Sequence, residues 1–370
     1  MLGGILMVVA IATFIMVHEA GHFIAARLTG MKATEFFLGF GPKIWSFQRG
    51  ETEYGVKAIP LGGYVRIIGM NPLEEVDPDD VGRTYREQVF WKKAVVVLSG
   101  VVLNFVMAFL LLFGLFWVTG VPGDVTTTIA AVSPEMANGD PTPATISGVL
   151  EGDAILAVDR IAVDTWEAAV ALIAARPNQT VPIEVERGGS SVVLTVTLAT
   201  IEREGGETVG FFGVSPEVET EAVGPFRALG LAGRTEVEVV RLAFVALGRI
   251  VRPSALVELG GALFGDTDVP DDIRPVSPIG LVRIGSEAQT IGFDNIVFIL
   301  ASVNIILGIF NGLPLYPLDG GHFAVALFEK LSGREANVRG LIPIAVAVIT
   351  LMLFLGVVAI VLDLTNPISL

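Results

Sequence analysis

The residues of this 370-residue chain best suited to chemistry are His18-Glu19-Ala20-Gly21-His22. On a helix, side chains four apart share a face, so both imidazoles would point at one spot and could bind one divalent ion. Glu19, one step round, would sit beside water on that ion as a general base. The chain has three histidines and no cysteine. That excludes disulfides, thiolate sites and a cysteine nucleophile, and leaves any transition metal to nitrogen and oxygen donors. A catalytic zinc site usually has three protein ligands and one open position, so a third donor must come from elsewhere. The sequence offers Asp319, in Asn311-Gly-Leu-Pro314-Leu-Tyr-Pro317-Leu-Asp319-Gly-Gly-His322. His322 is read as a supporting or loop residue, because a closed site could not activate water.

The elements that must position these residues are membrane helices. Hydrophobic residues make up 52% of the chain and charged residues only 17%, with mean hydropathy +0.68, whereas soluble domains carry about 25% charged residues. Spanning the hydrocarbon layer takes roughly 20 mostly apolar residues, and four runs qualify: Leu2–Ala26, Ala94–Thr119, Gly292–Leu313 and Leu341–Leu362. The first has no basic leader and holds three ionisable groups within five residues, so it is read as a retained helix rather than a signal peptide. Ionisable groups in a membrane helix cost several kcal/mol and mark function. Pro314 and Pro317 break the third run before Asp319, and such backbone is tolerated at that depth only when buried in protein or lining a cavity. His18 lies about 24 Å along the first helix at 1.5 Å per residue, toward the same leaflet as Asp319.

Charge orients the spans. Arg27–Lys93 holds 10 Lys+Arg against 9 Asp+Glu, whereas Gly120–Ile291 holds 11 arginines, no lysine and 24 acidic residues. The basic segments, including Lys330, Arg334 and Arg339, are expected to be cytoplasmic. Both termini and the acidic middle domain are expected outside, and the active site toward the cytoplasmic side. The net charge of −15 argues against nucleic-acid binding. Within the insert, Gly148-Val-Leu-Glu-Gly-Asp153-Ala-Ile-Leu-Ala-Val-Asp159 resembles the signature of a PDZ domain, which implies binding of a peptide as an added strand. A helix over Trp166–Ala175 and strands over Val181–Glu186 and Ser191–Leu198 are expected to follow. Apolar spacing predicts a helix from Pro225 to Leu247, and Gly260–Pro278 reads as an exposed linker.

Together these motifs resemble the site-2 protease family of intramembrane zinc metalloproteases, and within it the bacterial regulator-of-sigma proteases that cut anti-sigma factors. The resemblance implies Zn2+ held by His18, His22 and Asp319, with Glu19 as base. It implies that Asn311, Pro314 and Pro317 contact substrate, and that Asn104, in Gly100-Val-Val-Leu-Asn104, belongs to the same substrate-facing set and ties helix two to the site. Many members carry Gly-Pro where this chain has Gly100-Val101. The expected fold is a polytopic α-helical membrane protein. Its expected parts are a first helix over 1–27, a membrane-associated β-hairpin region over 33–69, helix two over 94–119 and a single extracytoplasmic PDZ domain over 123–200. A helix and linker over 225–290, helix three with the Leu-Asp-Gly motif over 291–322 and helix four over 341–362 complete it. The expected setting is the bacterial inner membrane, and the expected substrates are single-span membrane proteins cut after a prior outside cleavage. Two other readings stand beside it: a metal-dependent membrane transporter, and an inactive PDZ scaffold.

Overall fold

The computed structural model describes residues 2–71, 74–136, 139–202, 206–265, 269–270 and 272–367. In chain order the elements begin with α1 (Leu2–Leu28), β1 (Ala33–Arg49), β2 (Thr52–Ile67) and α2 (Phe90–Thr119). There follow β3 (Val121–Val132), α3 (Pro143–Ser147), β4 (Ala154–Val158), β5 (Ile161–Ala162), α4 (Trp166–Ala174), β6 (Thr180–Arg187) and β7 (Ser190–Thr197). Next come β8 (Ala199–Glu202), β9 (Thr208–Phe211), β10 (Val214–Glu221), α5 (Pro225–Ile250), α6 (Pro253–Ala262) and α7 (Pro278–Ile291). The last are α8 (Phe293–Gly312), α9 (Asp319–Ser332) and α10 (Val338–Thr365). Two compact units result, one of Met1–Trp117 with Gly224–Leu370, the other of Val118–Val223.

In the first unit, α1, α2, α8 and α10 are long and apolar enough to cross a membrane; the 20-residue α8 spans about 30 Å. The protein is thus a polytopic membrane protein with β-structure between its helices. The region expected to hold hairpins is one antiparallel pair whose strands fold back on themselves. Phe36 of β1 faces both Tyr54 and Val65 of β2, while Lys43 faces Lys57. The segment from Phe36 to Leu38 therefore lies between two parts of β2, leaving the Gly63–Ile67 stretch at an edge. Arg66 and Tyr64 both bond Glu35, and Lys57 donates to the Tyr64 hydroxyl at 2.5 Å. Burial alone would raise the Glu35 carboxyl, but those hydrogen bonds overcome it and hold it below its ordinary value.

Two parts of this unit differ from the sequence expectation. The stretch Gly260–Pro278 is not simply an exposed linker. Its start belongs to α6, and Val269 and Ile273 are buried with Ala255, Leu259, Val358 and Leu362, so the segment anchors on α10. Arg274, 4% exposed, lies 3.6 Å from Asp363, 2% exposed, and the Ser277 N–H donates to the same carboxylate at 2.7 Å. The second difference is α7, a 14-residue helix that packs on α1.

The second unit is longer than the expected 123–200. Its sheet runs β10-β3-β4-β6-β7, with β5 on β4, and β8 pairs with β9 separately. Since β10 pairs antiparallel with β3, the chain beyond residue 200 completes the sheet. The core joins Ile129, Ile155, Val158, Ile183, Val185, Val196, Leu198 and Phe212. Burial there follows the alternation of β6 and β7, the period-2 pattern of a half-buried sheet. Asp153, 1% exposed, accepts from Arg187 Nε at 2.8 Å and Nη2 at 2.7 Å and from the Leu150 N–H at 2.9 Å. Those bonds hold its carboxyl below the ordinary range.

Candidate metal centre

Helix α1 stacks His18 and His22 one turn apart with their Nε2 atoms 3.1 Å from each other. Oδ2 of Asp319, the first residue of α9, lies 3.0 Å from the His18 Nε2 and 3.1 Å from the His22 Nε2. Zinc binds nitrogen and carboxylate oxygen at about 2.0–2.2 Å, so donors this close can share one ion. Two imidazoles and a carboxylate also make a three-ligand set that leaves a position open for water. Among the described residues this is the one group of three or more such side chains close enough to share a metal.

Two close approaches bring these donors together. Where α1 crosses α2, a Cβ added to Gly21 would stand 2.8 Å from the Ser99 carbonyl. One added to Gly100 would stand 2.5 Å from His22 Nε2 and 2.8 Å from His18 Cε1. The imidazoles occupy the space a side chain on Gly100 would need. At the other end of the site, the chain leaves α8 through a turn in which Leu315 N–H donates to the Leu313 carbonyl at 2.7 Å and Leu318 N–H to that of Leu315 at 2.8 Å. Helix α9 then doubles back so tightly that Cβ atoms on Gly320 and Gly321 would meet backbone at 2.1 Å and 2.4 Å. Only glycines at those positions let Asp319 reach under the end of α8.

Helix α2 fixes both rings. His22 Nδ1 lies 2.8 Å from the Val96 carbonyl, and His18 Nδ1 lies 3.2 Å from the Asn104 amide. Asn104 is 1% exposed, so its side chain faces the ligand ring rather than an open wall where substrate could lie. Asn304 of α8 donates from Nδ2 to the Asn104 backbone carbonyl at 2.8 Å. A Cβ added to Gly63 would stand 3.2 Å from the Glu19 Cγ, so the edge stretch of the β-structure runs directly past it.

A cavity of about 760 Å3 is lined by Tyr64, Val65, Arg66, Ile67, Tyr316 and His322, among others. Tyr316 and His322 also border a second cavity of about 830 Å3. Their rings lie 4.9 Å apart. Asn311 is half-buried near the end of α8, Pro317 is half-buried in the following turn and Pro314 is exposed there. Sequence reasoning did not anticipate Val96, because a backbone carbonyl carries no sequence signal. Asn304 was missed as well, although a lone amide in an apolar span was a readable sign.

Comparison with known proteins finds relatives along nearly the whole chain. The family described as Peptidase family M50 matches residues 6–357. The chain is 35% identical to zinc metalloprotease Rip1 of Mycobacterium tuberculosis, covering 100% of this chain and 98% of that protein. It is 30% identical to a putative zinc metalloprotease of Nostoc sp. over 97% of this chain and 95% of the relative. With zinc metalloprotease RasP of Shouchella clausii the identity is 26%, over 88% and 90%.

Proposed function

The chain belongs to peptidase family M50 and is a membrane-embedded zinc metalloprotease; from that premise we propose that His18, His22 and Asp319 hold the zinc and that Glu19 is the general base. The observation that carries this reading is the convergence of three donor atoms within 3.1 Å from residues 297 positions apart. When bound, zinc supplies Lewis acidity and a water of lowered pKa. Glu19 would serve as general base toward the attacking water and would return the proton to the leaving amine. Gly63 brings the β2 edge against Glu19, and Tyr316 and His322 form the facing wall of the cavity. An extended stretch of substrate entering this cavity would meet an edge strand able to pair with its backbone. That pairing answers a physical need, since a helical substrate hides its amides until it is unwound.

The substrate class proposed is the single-span membrane protein, of anti-sigma factor type, cut in or near its transmembrane helix after an outside cleavage. Asn311, Pro314 and Pro317 are proposed to contact it. Charge partition supports an orientation with the termini and the Val118–Val223 unit outside and the metal toward the cytoplasm. That unit is proposed to be a PDZ domain that screens or tethers the outer part of substrates. Asp153 with its strand fits the signature, and β10 at the sheet edge is where an added strand would pair.

Glu19→Gln tests the chemistry. The variant is expected to keep its zinc and to lose roughly 10²–10⁴ in turnover of a helical reporter in micelles; full activity would sink the proposal. Deleting Val118–Val223 tests the screen, which fails if the shortened protein still refuses untrimmed substrates.

A further inference from the structure

We infer that Asn104 of α2 is a positioning residue that sets the tautomer and orientation of His18, and that Asn304 of α8 holds Asn104 in place for that task. The inference rests on the reading of His18, His22 and Asp319 as the metal ligands. Nε2 of each histidine is the atom in the donor triangle, so the proton of each neutral metal-binding ring must sit on Nδ1. For His22 that proton has an acceptor, the Val96 carbonyl at 2.8 Å. For His18 the facing group is the Asn104 amide at 3.2 Å, the one partner of that nitrogen among the described side chains.

An amide can present either of two atoms there. Its nitrogen and oxygen exchange places by a half-turn of the side chain. A ring bearing its proton on Nδ1 cannot face an amide N–H, so the metal-binding tautomer selects the oxygen. With the nitrogen toward the ring, Oδ1 of Asn104 is buried without a partner; the half-turn makes that oxygen the acceptor of the His18 proton. Partners of this kind on the far nitrogen fix the tautomer and raise the basicity of the ligating one.

The amide can do this only if it is held still. Asn304, 0% exposed, donates to the Asn104 backbone carbonyl at 2.8 Å. One turn further along α8, Gly308 brings the helix so close that an added Cβ would stand 3.3 Å from the Asn104 Cβ. Two helices that contribute no ligand, α2 and α8, thus govern how one ligand on α1 presents itself.

The experiment measures zinc affinity of the purified full chain in detergent micelles by competition with a chromophoric chelator. It compares the parent with Asn104→Leu, Asn104→Asp, Asn304→Leu and His18→Ala. Loss of the acceptor in Asn104→Leu is expected to weaken zinc binding 10–100-fold, and Asn304→Leu to weaken it in the same direction. Asn104→Asp, which keeps an oxygen for the ring proton, is expected to stay within about threefold of the parent. A role in packing alone would not be rescued by that change. Parent-like affinity in Asn104→Leu, or an Asn104→Asp that falls as far as the leucine variant, overturns the inference. If Asn104→Leu does not fold, the pair Asn304→Leu and Asn104→Asp decides in the same way. Parent-like affinity in His18→Ala would overturn the ligand assignment instead, so the two failures are told apart.

Discussion

Adding a single methyl group at Gly100 should disable the metal centre from a helix that supplies no ligand. The Cβ of Gly100→Ala would stand 2.5 Å from His22 Nε2, 2.7 Å from His22 Cε1 and 2.8 Å from His18 Cε1. Non-bonded carbon contacts relax at about 3.5–4.0 Å, so the overlap is about 1 Å against His22. Metal sites tolerate ligand displacements of only about 0.2 Å, several times less. Rotating the rings away is opposed because the Val96 carbonyl and Asn104 grip their far nitrogens from the same helix. Sliding α2 away would carry those two partners with it and open the close packing at Gly21. Overpacking strain of this kind costs about 1–3 kcal/mol, which alone is roughly 5- to 150-fold in zinc affinity. Gly114→Ala is the control, because on the same helix its Cβ meets nothing within 4 Å. Zinc affinity by chelator competition and turnover of a helical reporter should both collapse in Gly100→Ala and stay at parent level in Gly114→Ala. If the two variants bind zinc equally well, the close-approach argument for this crossing is wrong.

Other outcomes follow from features away from that crossing. The Asp153 carboxyl is held low by Arg187 and the Leu150 amide, so its stabilisation is complete above its unfolded value of about 3.9 and is lost as pH falls through the lower folded value. Protection of the Ile155 and Val185 amides, taken relative to intrinsic exchange at each pH, should therefore fall on acidification in the parent and much less in Asp153→Asn; identical acid responses would refute this. Asp363→Ala strands the buried Arg274 and should lower thermal stability by roughly 3–5 kcal/mol, which calorimetry in micelles would show. Gly63→Val drives a side chain against Glu19 and Ile15, so cleavage should drop while zinc content stays at one per chain. Zinc loss in that variant would place the β2 edge in metal retention rather than catalysis.

The parts of the site that were legible in the sequence are those governed by local spacing. The four-residue interval between His18 and His22 on an apolar helix determines that the rings share a face. Asp319-Gly-Gly carries its own reason in the backbone contacts behind Gly320 and Gly321. Less was legible where a contact depends on distant chain. The Val96 carbonyl has no side-chain signal, and the fold-back of β1 on β2, with Phe36 facing two partners, depends on irregular register that alternation cannot reveal. In Gly260–Pro278 the polar composition concealed Val269 and Ile273, which find a partner surface on α10. Helix α7 escaped because it is too short to register as a span, although Ser277 followed by Pro278 is a readable start, and Ser277 Oγ does accept from the Ile279 and Gly280 amides.

The pairing of β3 with β10 has a further consequence. Val121 faces Glu221, and Pro122 faces Thr220, so the chain enters and leaves the second unit at neighbouring points of one ladder. A domain whose ends meet can be inserted into, or lifted out of, a host polypeptide without rethreading it. Val118–Val223 therefore behaves as a cassette. Recombination could exchange it for another fold with adjacent ends, giving the same membrane chemistry a different inserted domain.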